Sequence, residues 1–199
     1  MKTLRIGLTG GIAAGKSEVE RILRERGVPV LNTDDVAHEV MRPDGPAFPD
    51  VIKAFGEGVL TPEGTIDRKA LGEIVFADPG KRHVLNRCVH PHVGRVWRRW
   101  MEERTARMAV VSIPLLFECG LEDQFDGVLC IWAPEANLKQ RLLRRGLTDG
   151  QAEQRIQSQL PVDEKARRAT WVLDNTNTLS HLESRVESWC RDMAPMENP

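Results

Sequence analysis

Gly10, Gly15, Lys16 and Ser17 stand at the spacing Gly-x4-Gly-Lys-Ser, within Leu4-Arg-Ile-Gly-Leu-Thr-Gly-Gly-Ile-Ala-Ala-Gly-Lys-Ser17. This is the P-loop pattern. A loop of this kind wraps successive backbone N–H groups around phosphate oxygens. A helix N-terminus behind it adds about half a positive charge. Lys16 then reaches the outer phosphates, and the Ser17 hydroxyl is the metal-side group, for Mg²⁺. The chemistry is nucleotide phosphate binding and transfer. The bland alternative is a Gly-rich turn that happens to precede a helix.

The motif needs a strand before it and a helix after it. Leu4, Ile6 and Leu8 alternate as a short strand. Val19, Ile22 and Leu23 fall on one face of a following helix. Val28-Pro29-Val30-Leu31 reads as a second strand, with Asn32-Thr33-Asp34-Asp35 at its carboxyl end. Ligands of open α/β sheets bind at that edge. Asp34 and Asp35 are therefore candidates for chemistry. Asn32, Thr33 and Asp34 are equally candidates to cap the helix through Val36, Ala37 and Val40. Asp35 suits a first-turn or solvent-facing role.

The remaining elements follow in order. Residues 42–67 are rich in Pro and Gly, with one apolar stretch at Val51 to Phe55. A helix begins at Ile66 to Leu71, with Asp67 near its start, and Asp78-Pro79-Gly80 breaks it. Helical patterning resumes at Arg82 and runs to about Arg107, with a break expected at His90-Pro91. So long a stretch between two strands is not a simple crossover and implies a helical insertion. Ala109 to Pro114 and Gly127 to Trp132 are near-continuous apolar runs, suited to a parallel sheet covered on both faces. Pro134 to Arg145 reads as a helix, Thr148 as the cap of another over Asp149 to Leu160, and Trp171 to Leu173 as a last strand. Leu179, Leu182, Val186 and Trp189 mark a closing amphipathic helix, and the Pro-containing end after it suits a stretch without fixed structure.

Composition narrows the partners. The 199 residues carry a net charge of −1, which gives no basic excess for nucleic acid. The cationic stretch Arg95 to Arg107 is interleaved with Trp97, Trp100 and Met101, the spacing of an amphipathic helix with a solvated face. Cys88, Cys119, Cys130 and Cys190 lie far apart without a CxxC, which suits reduced thiols. No apolar run reaches the roughly 18 residues of a membrane span, and Lys2 and Arg5 flank a strand rather than a signal peptide's apolar core. The expectation is a soluble cytoplasmic α/β protein with no membrane or nucleic-acid partner. Nothing in the sequence fixes an oligomeric state.

Taken together, these residues resemble the dephospho-CoA kinases. The resemblance rests on Leu8 to Ile12 leading into the P-loop, and on Asp34 with Ala37. It continues through Gly64-Thr-Ile-Asp-Arg-Lys-Ala-Leu71, Val75-Phe76, Leu85 and His90-Pro91. Further on come Pro114-Leu-Leu-Phe-Glu118, Arg141-Leu142, Arg145, Arg155-Ile156, Gln159 and Asp174-Asn175. Such matches span residues 6 to 175. The chain departs from the family pattern at Ala13 (commonly Gly), Glu18 (Thr), Asn32 (Asp), Thr170 (Asp) and Asn177 (Gly).

The resemblance implies a P-loop kinase with a mostly parallel sheet covered by helices. It implies a nucleotide-binding core over residues 1–35, 107–136 and 160–199, a helical dephospho-CoA-binding insertion over 36–106, and a small helical lid over 137–159. It implies transfer of the ATP γ-phosphoryl group to the ribose 3′-hydroxyl of dephospho-CoA, with Mg²⁺. Lys16, Asp34 and Arg141 are then the catalytic residues. Gly10, Gly11, Ile12, Ala13, Ala14, Gly15, Lys16, Ser17, Glu18, Arg145 and Asn175 hold the nucleotide. Thr9, Asp34, Arg68, His90, Leu116 and Glu118 are implied on the acceptor side. For Glu118 a metal-side and a structural role stay open, as does a solvated surface for the arginines. Two other classes are weighed. A GTPase-like switch needs Asp-x-x-Gly and Asn-Lys-x-Asp, and neither string occurs. A nucleoside-monophosphate kinase shares the fold and differs in acceptor.

Overall fold

The computed structural model describes residues 3–193, so the Pro-containing end lies outside the described residues. Parallel strands dominate because their sequences are apolar on both faces. β1 (Leu4–Gly10) pairs in parallel with β3 (Met108–Ser112), Leu4 opposite Met108 and Leu8 opposite Ser112. On its other side β1 pairs with β4 (Gly127–Trp132), and β4 pairs with β5 (Trp171–Asp174), both in parallel. With β2 (Val30–Asn32) at the edge, the order is β2-β3-β1-β4-β5. The P-loop strand is central, and neighbours on both sides fix its carboxyl end.

The chain divides into two compact units: residues 1–30 with 105–199, and residues 31–104. In the first, α1 (Lys16–Glu25) buries Val19, Ile22 and Leu23, as its periodicity requires. These side chains join Ile6, Leu8, Leu129 and Ile131 of the sheet in one core. Burial of each contributes roughly 1.5–3 kcal/mol. α6 (Glu135–Arg144) adds Leu138 to this core, α8 (Val162–Arg168) adds Val162, and α9 (Leu179–Asp192) adds Leu182, Val186 and Trp189. α7 (Asp149–Gln157) starts at Thr148, whose hydroxyl and Gln151 form a reciprocal capping box. Arg21 of α1 binds Glu183 of α9 at 3.2 Å, and Arg26 pairs with Glu187.

In the second unit α5 (Pro79–Glu102) packs against α2 (Thr33–Val40), α3 (Phe48–Phe55) and α4 (Arg68–Ala77). Two expectations need correction here. The break is present at Asp78, but Pro79, not Arg82, opens the next helix, α5, at its first turn, where a missing N–H is harmless. The helix also runs through Pro91 without interruption. An interior proline costs a helix about 3 kcal/mol, and packing on three other helices outweighs that here. Two further boundaries differ: α5 stops at Glu102 rather than Arg107, and α8 lies where no helix was read.

Candidate active site

The P-loop takes its shape from backbone conformations that few residues tolerate. Gly10 has φ +151°, and a Cβ there would sit 2.4 Å from the Ile131 carbonyl oxygen. Gly15 caps α1 with φ +105°, and a Cβ there would meet Asn175 Nδ2 at 2.2 Å. Ala13, between them, has φ 58°, in the left-handed region. The replacement of the family's glycine at this position is therefore a strained one. Ala14 N–H donates to Gly11 O at 3.1 Å, closing the turn. Lys16 Nζ lies back over the loop, donating to Gly10 O at 3.3 Å and Gly11 O at 3.4 Å. Ser17 is exposed in the first turn of α1.

The outer wall of the loop is held from behind. Asn175 Nδ2 donates to Ala14 O at 2.7 Å. Arg141 Nη1 donates to Ala13 O and Ala14 O, both at 3.2 Å, and its Nη2 to Asn175 O at 2.6 Å. Across the trans peptide, the N–H opposite the Ala14 carbonyl belongs to Gly15. Holding that carbonyl fixes the plane of the peptide, and with it the direction of the Gly15 N–H. Burial lowers the Arg141 pKa, helped by the neighbouring positive charges of Arg145 and Arg144. Arg145 is exposed one turn further on, as the C-cap of α6. Arg141 and Asn175 thus act on the loop's backbone, while Arg145 presents its charge to solvent.

The loop after β3 forms a second wall. The Thr9 hydroxyl donates to Pro114 O at 3.3 Å. Lys165 Nζ donates to the same oxygen at 2.7 Å, bridges to Glu118 Oε1 at 2.8 Å and reaches Gln159 Oε1 at 3.5 Å. Leu160 N–H also donates to Glu118 Oε1, at 2.9 Å. Glu118 is therefore placed as a structural anchor between segments. Thr9 and Leu116 are fully buried, and Leu116 Cδ1 lies 2.5 Å from where a Cβ on Gly7 would be. As placed, the Leu116 side chain belongs to the core. Burial pushes the Cys130 thiol up to about 12, moderated by the charges of Lys165 and Lys16.

Glu18 is turned away from the loop: its carboxylate binds Arg21 Nε at 2.7 Å and its N–H donates to Gly15 O at 3.1 Å. Thr170, where the family commonly has Asp, accepts from Val128 N–H at 3.0 Å and fixes the start of β4.

The remaining acceptor-side residues lie in the second unit. Asn32 is the N-cap of α2, its Oδ1 accepting from Asp34 N–H at 2.7 Å. That resolves the three capping candidates and leaves the Asp34 carboxylate outside the cap, exposed, two residues beyond β2. Arg68 opens α4 next to its N-cap Asp67 and lines a cleft of about 560 Å³ together with His38, Arg42, Asp44 and Thr65. His90 is on α5 and outside that lining, and loss of hydration lowers its pKa. Lys165 is the residue that sequence reasoning missed. The only available signal was a lysine three positions after Val162, on the face that α8 turns inward.

The matches to known proteins agree with this geometry. The family model for dephospho-CoA kinase matches residues 4–181. A dephospho-CoA kinase of Symbiobacterium thermophilum is 45% identical, covering 92% of this chain and 78% of that protein. One from Anaeromyxobacter dehalogenans is 44% identical over 94% of this chain and 91% of its own length. The crystal structure of TT1252 from Thermus thermophilus superposes with a TM-score of 0.82 at 35% identity, covering 98% of this chain and all of that one. The chain, with its loop, its strand order and its second wall, belongs to the dephospho-CoA kinase family.

Proposed function

We propose that this chain transfers the γ-phosphoryl group of ATP to the ribose 3′-hydroxyl of dephospho-CoA, giving coenzyme A and ADP, the final step of coenzyme A synthesis. What carries the reading is family membership over residues 4–181 joined to a complete P-loop on the central strand. Phosphoryl transfer asks a protein chiefly for positioning and charge stabilisation. Gly10 to Ser17 cradle the nucleotide phosphates, with Arg141 and Asn175 keeping the loop in shape. Lys16 exchanges its contacts with Gly10 O and Gly11 O for phosphate oxygens. Arg145 adds positive charge at the rim. Asp34 accepts the acceptor hydroxyl's proton, being a carboxylate with no capping duty.

Among the described residues, no three His, Cys, Asp or Glu side chains group as a metal cage. A divalent ion such as Mg²⁺ would be held by Ser17 together with the nucleotide, and would supply neutralisation of developing charge. We assign acceptor binding to the helical unit through Arg68 and His90; Thr9 and Leu116, both fully buried, support the loop after β3 from within. The lid is assigned to residues 137–159. Leu138 and Leu142 are buried, so closure would be carried by the part beyond Arg144. No helix among the described residues is long and apolar enough to cross a membrane. We assign the enzyme to the cytoplasm on its likeness to the dephospho-CoA kinases.

The test is ATP consumption with dephospho-CoA, AMP, CMP or shikimate as acceptor. Turnover with dephospho-CoA should exceed each of the others by about 100-fold or more, the scale of discrimination that specific acceptor hydrogen bonds supply. Faster phosphorylation of any other member would overturn the reading.

A further inference from the structure

Lys165 has no exposed surface, yet it carries a charge and three oxygen contacts. An ammonium has three donors, and each is directed at a different group: the Pro114 carbonyl just after β3, the Glu118 carboxylate four residues on, and the Gln159 side chain between α7 and α8. Stability alone does not ask for this. Taking an ion pair out of water costs several kcal/mol per ion, and apolar residues of similar volume often do as well or better. What an apolar side chain cannot do is draw three oxygens from two segments to one point.

Those segments matter for the site. The Pro114–Glu118 loop leaves the carboxyl end of β3, next to the P-loop strand, at the edge where ligands of parallel sheets bind. Gln159 ends the segment assigned above as the lid, and Leu160 follows it directly. Glu118 Oε1 accepts from both Lys165 and Leu160 N–H, so one oxygen joins the loop, the residue just past the lid segment and α8. On the P-loop side Thr9 holds Pro114 O independently.

We propose that Lys165 is a positioning residue for the acceptor: through Pro114 O and Glu118 it fixes the loop after β3 against the end of the lid segment. This rests on the dephospho-CoA reading above. Removing the ammonium leaves the Thr9 bond and the P-loop supports, Asn175 and Arg141, in place. Acceptor binding should therefore suffer while ATP binding does not.

The experiment compares wild type, Lys165→Met and Glu118→Gln, measuring KM for dephospho-CoA and for ATP separately, with amide hydrogen exchange over residues 114–121. In Lys165→Met the KM for dephospho-CoA should rise about tenfold or more, the scale of hydrogen bonds to a charged group. KM for ATP should stay within about twofold, and exchange over 114–121 should quicken. Glu118→Gln should show the same split, smaller. Parallel rises in both KM values, a fall in kcat alone, or unchanged exchange in the loop would overturn the proposal. If Lys165→Met does not fold, Glu118→Gln decides by the same split. If wild type does not phosphorylate dephospho-CoA, the functional reading falls, while the exchange measurement still judges whether Lys165 holds the loop.

Discussion

Ala13 and Ala14 are chemically identical neighbours in the P-loop, and replacing each by glycine should have opposite effects. Ala13 stands at φ 58° and is half-buried; Ala14 is fully buried and has no positive φ. At Ala13, glycine removes a left-handed strain of about 1–2 kcal/mol. Against this stand about 0.5–1 kcal/mol for the extra freedom glycine loses on folding and a few tenths for a half-buried methyl. The balance is a gain of about 0.5 kcal/mol. At Ala14 there is no strain to relieve. Glycine there loses the same entropy and about 0.8 kcal/mol for a whole buried methyl, a loss of roughly 1.5 kcal/mol. The two variants should thus differ by about 2 kcal/mol. In a chain of this size, that is roughly 4–8 °C in Tm. Thermal unfolding followed by circular dichroism reads this directly, with Ala13→Gly melting above wild type and Ala14→Gly below. Equal losses in both would refute the strain argument, and with it the account of why this position is commonly glycine in the family.

Other outcomes follow from the same geometry. Lys16→Ala should lower kcat by at least about 100-fold, as loss of a preorganised charge at a transition state does, with an unchanged circular dichroism spectrum; activity within tenfold would remove Lys16 from the chemistry. Asp34→Asn should retain ATP and dephospho-CoA binding by calorimetry and lose about 10²–10⁴-fold in kcat, whereas Asp35→Asn stays active; near-normal turnover in Asp34→Asn would leave the proton to solvent. Arg141→Lys should weaken kcat/KM for ATP by about tenfold or more, because one ammonium does not replace a planar fork that spans three carbonyls, while steady-state kinetics of Arg144→Ala stay near wild type. The Cys130 thiol, raised to about 12, favours the folded state's neutral form. Its contribution is intact below pH 9 and is lost as pH rises from about 9 to 12, at up to about 1.4 kcal/mol per pH unit. Denaturant unfolding of wild type against Cys130→Ser should converge along that direction, and parallel pH profiles would contradict it.

How much of this was legible in the sequence depends on how local the cause was. The P-loop strand, its glycines and α1 are set within a score of residues, and the pattern placed them. The capping of α2 was local too, but three adjacent side chains qualified, and only the observed Asn32–Asp34 bond separates them. Pro91 misled because its penalty is local while the compensation comes from helices far away in sequence. Glu18 and Leu116 were assigned by family position. Which way a side chain turns depends on neighbours such as Arg21 and Gly7, which no motif records. Lys165 was hidden for a general reason: a buried cation interrupts the apolar periodicity by which an inward face is recognised, so α8 itself went unread.

The chain contains no tyrosine and five tryptophans, so its near-ultraviolet absorption and emission are almost purely those of indoles. They are divided between the two units. Trp97 and Trp100 belong to the helical unit, under the guanidinium groups of Arg98 and Arg104. Trp132, Trp171 and Trp189 belong to the sheet unit. Trp171 and Trp189 meet edge to face, with ring centroids 5.8 Å apart, and the Trp189 indole nitrogen is buried with no hydrogen-bond partner among the described residues. An indole so shielded emits to the blue. Trp132, by contrast, donates from its Nε1 to Asp163 at the end of the strand beside the P-loop. The protein therefore carries built-in chromophores that distinguish its halves. Replacing Trp97 and Trp100 by phenylalanine leaves the spectrum of the sheet unit alone, in which Trp132 is the indole at the carboxyl end of its strand and Trp171 stands at the start of its own.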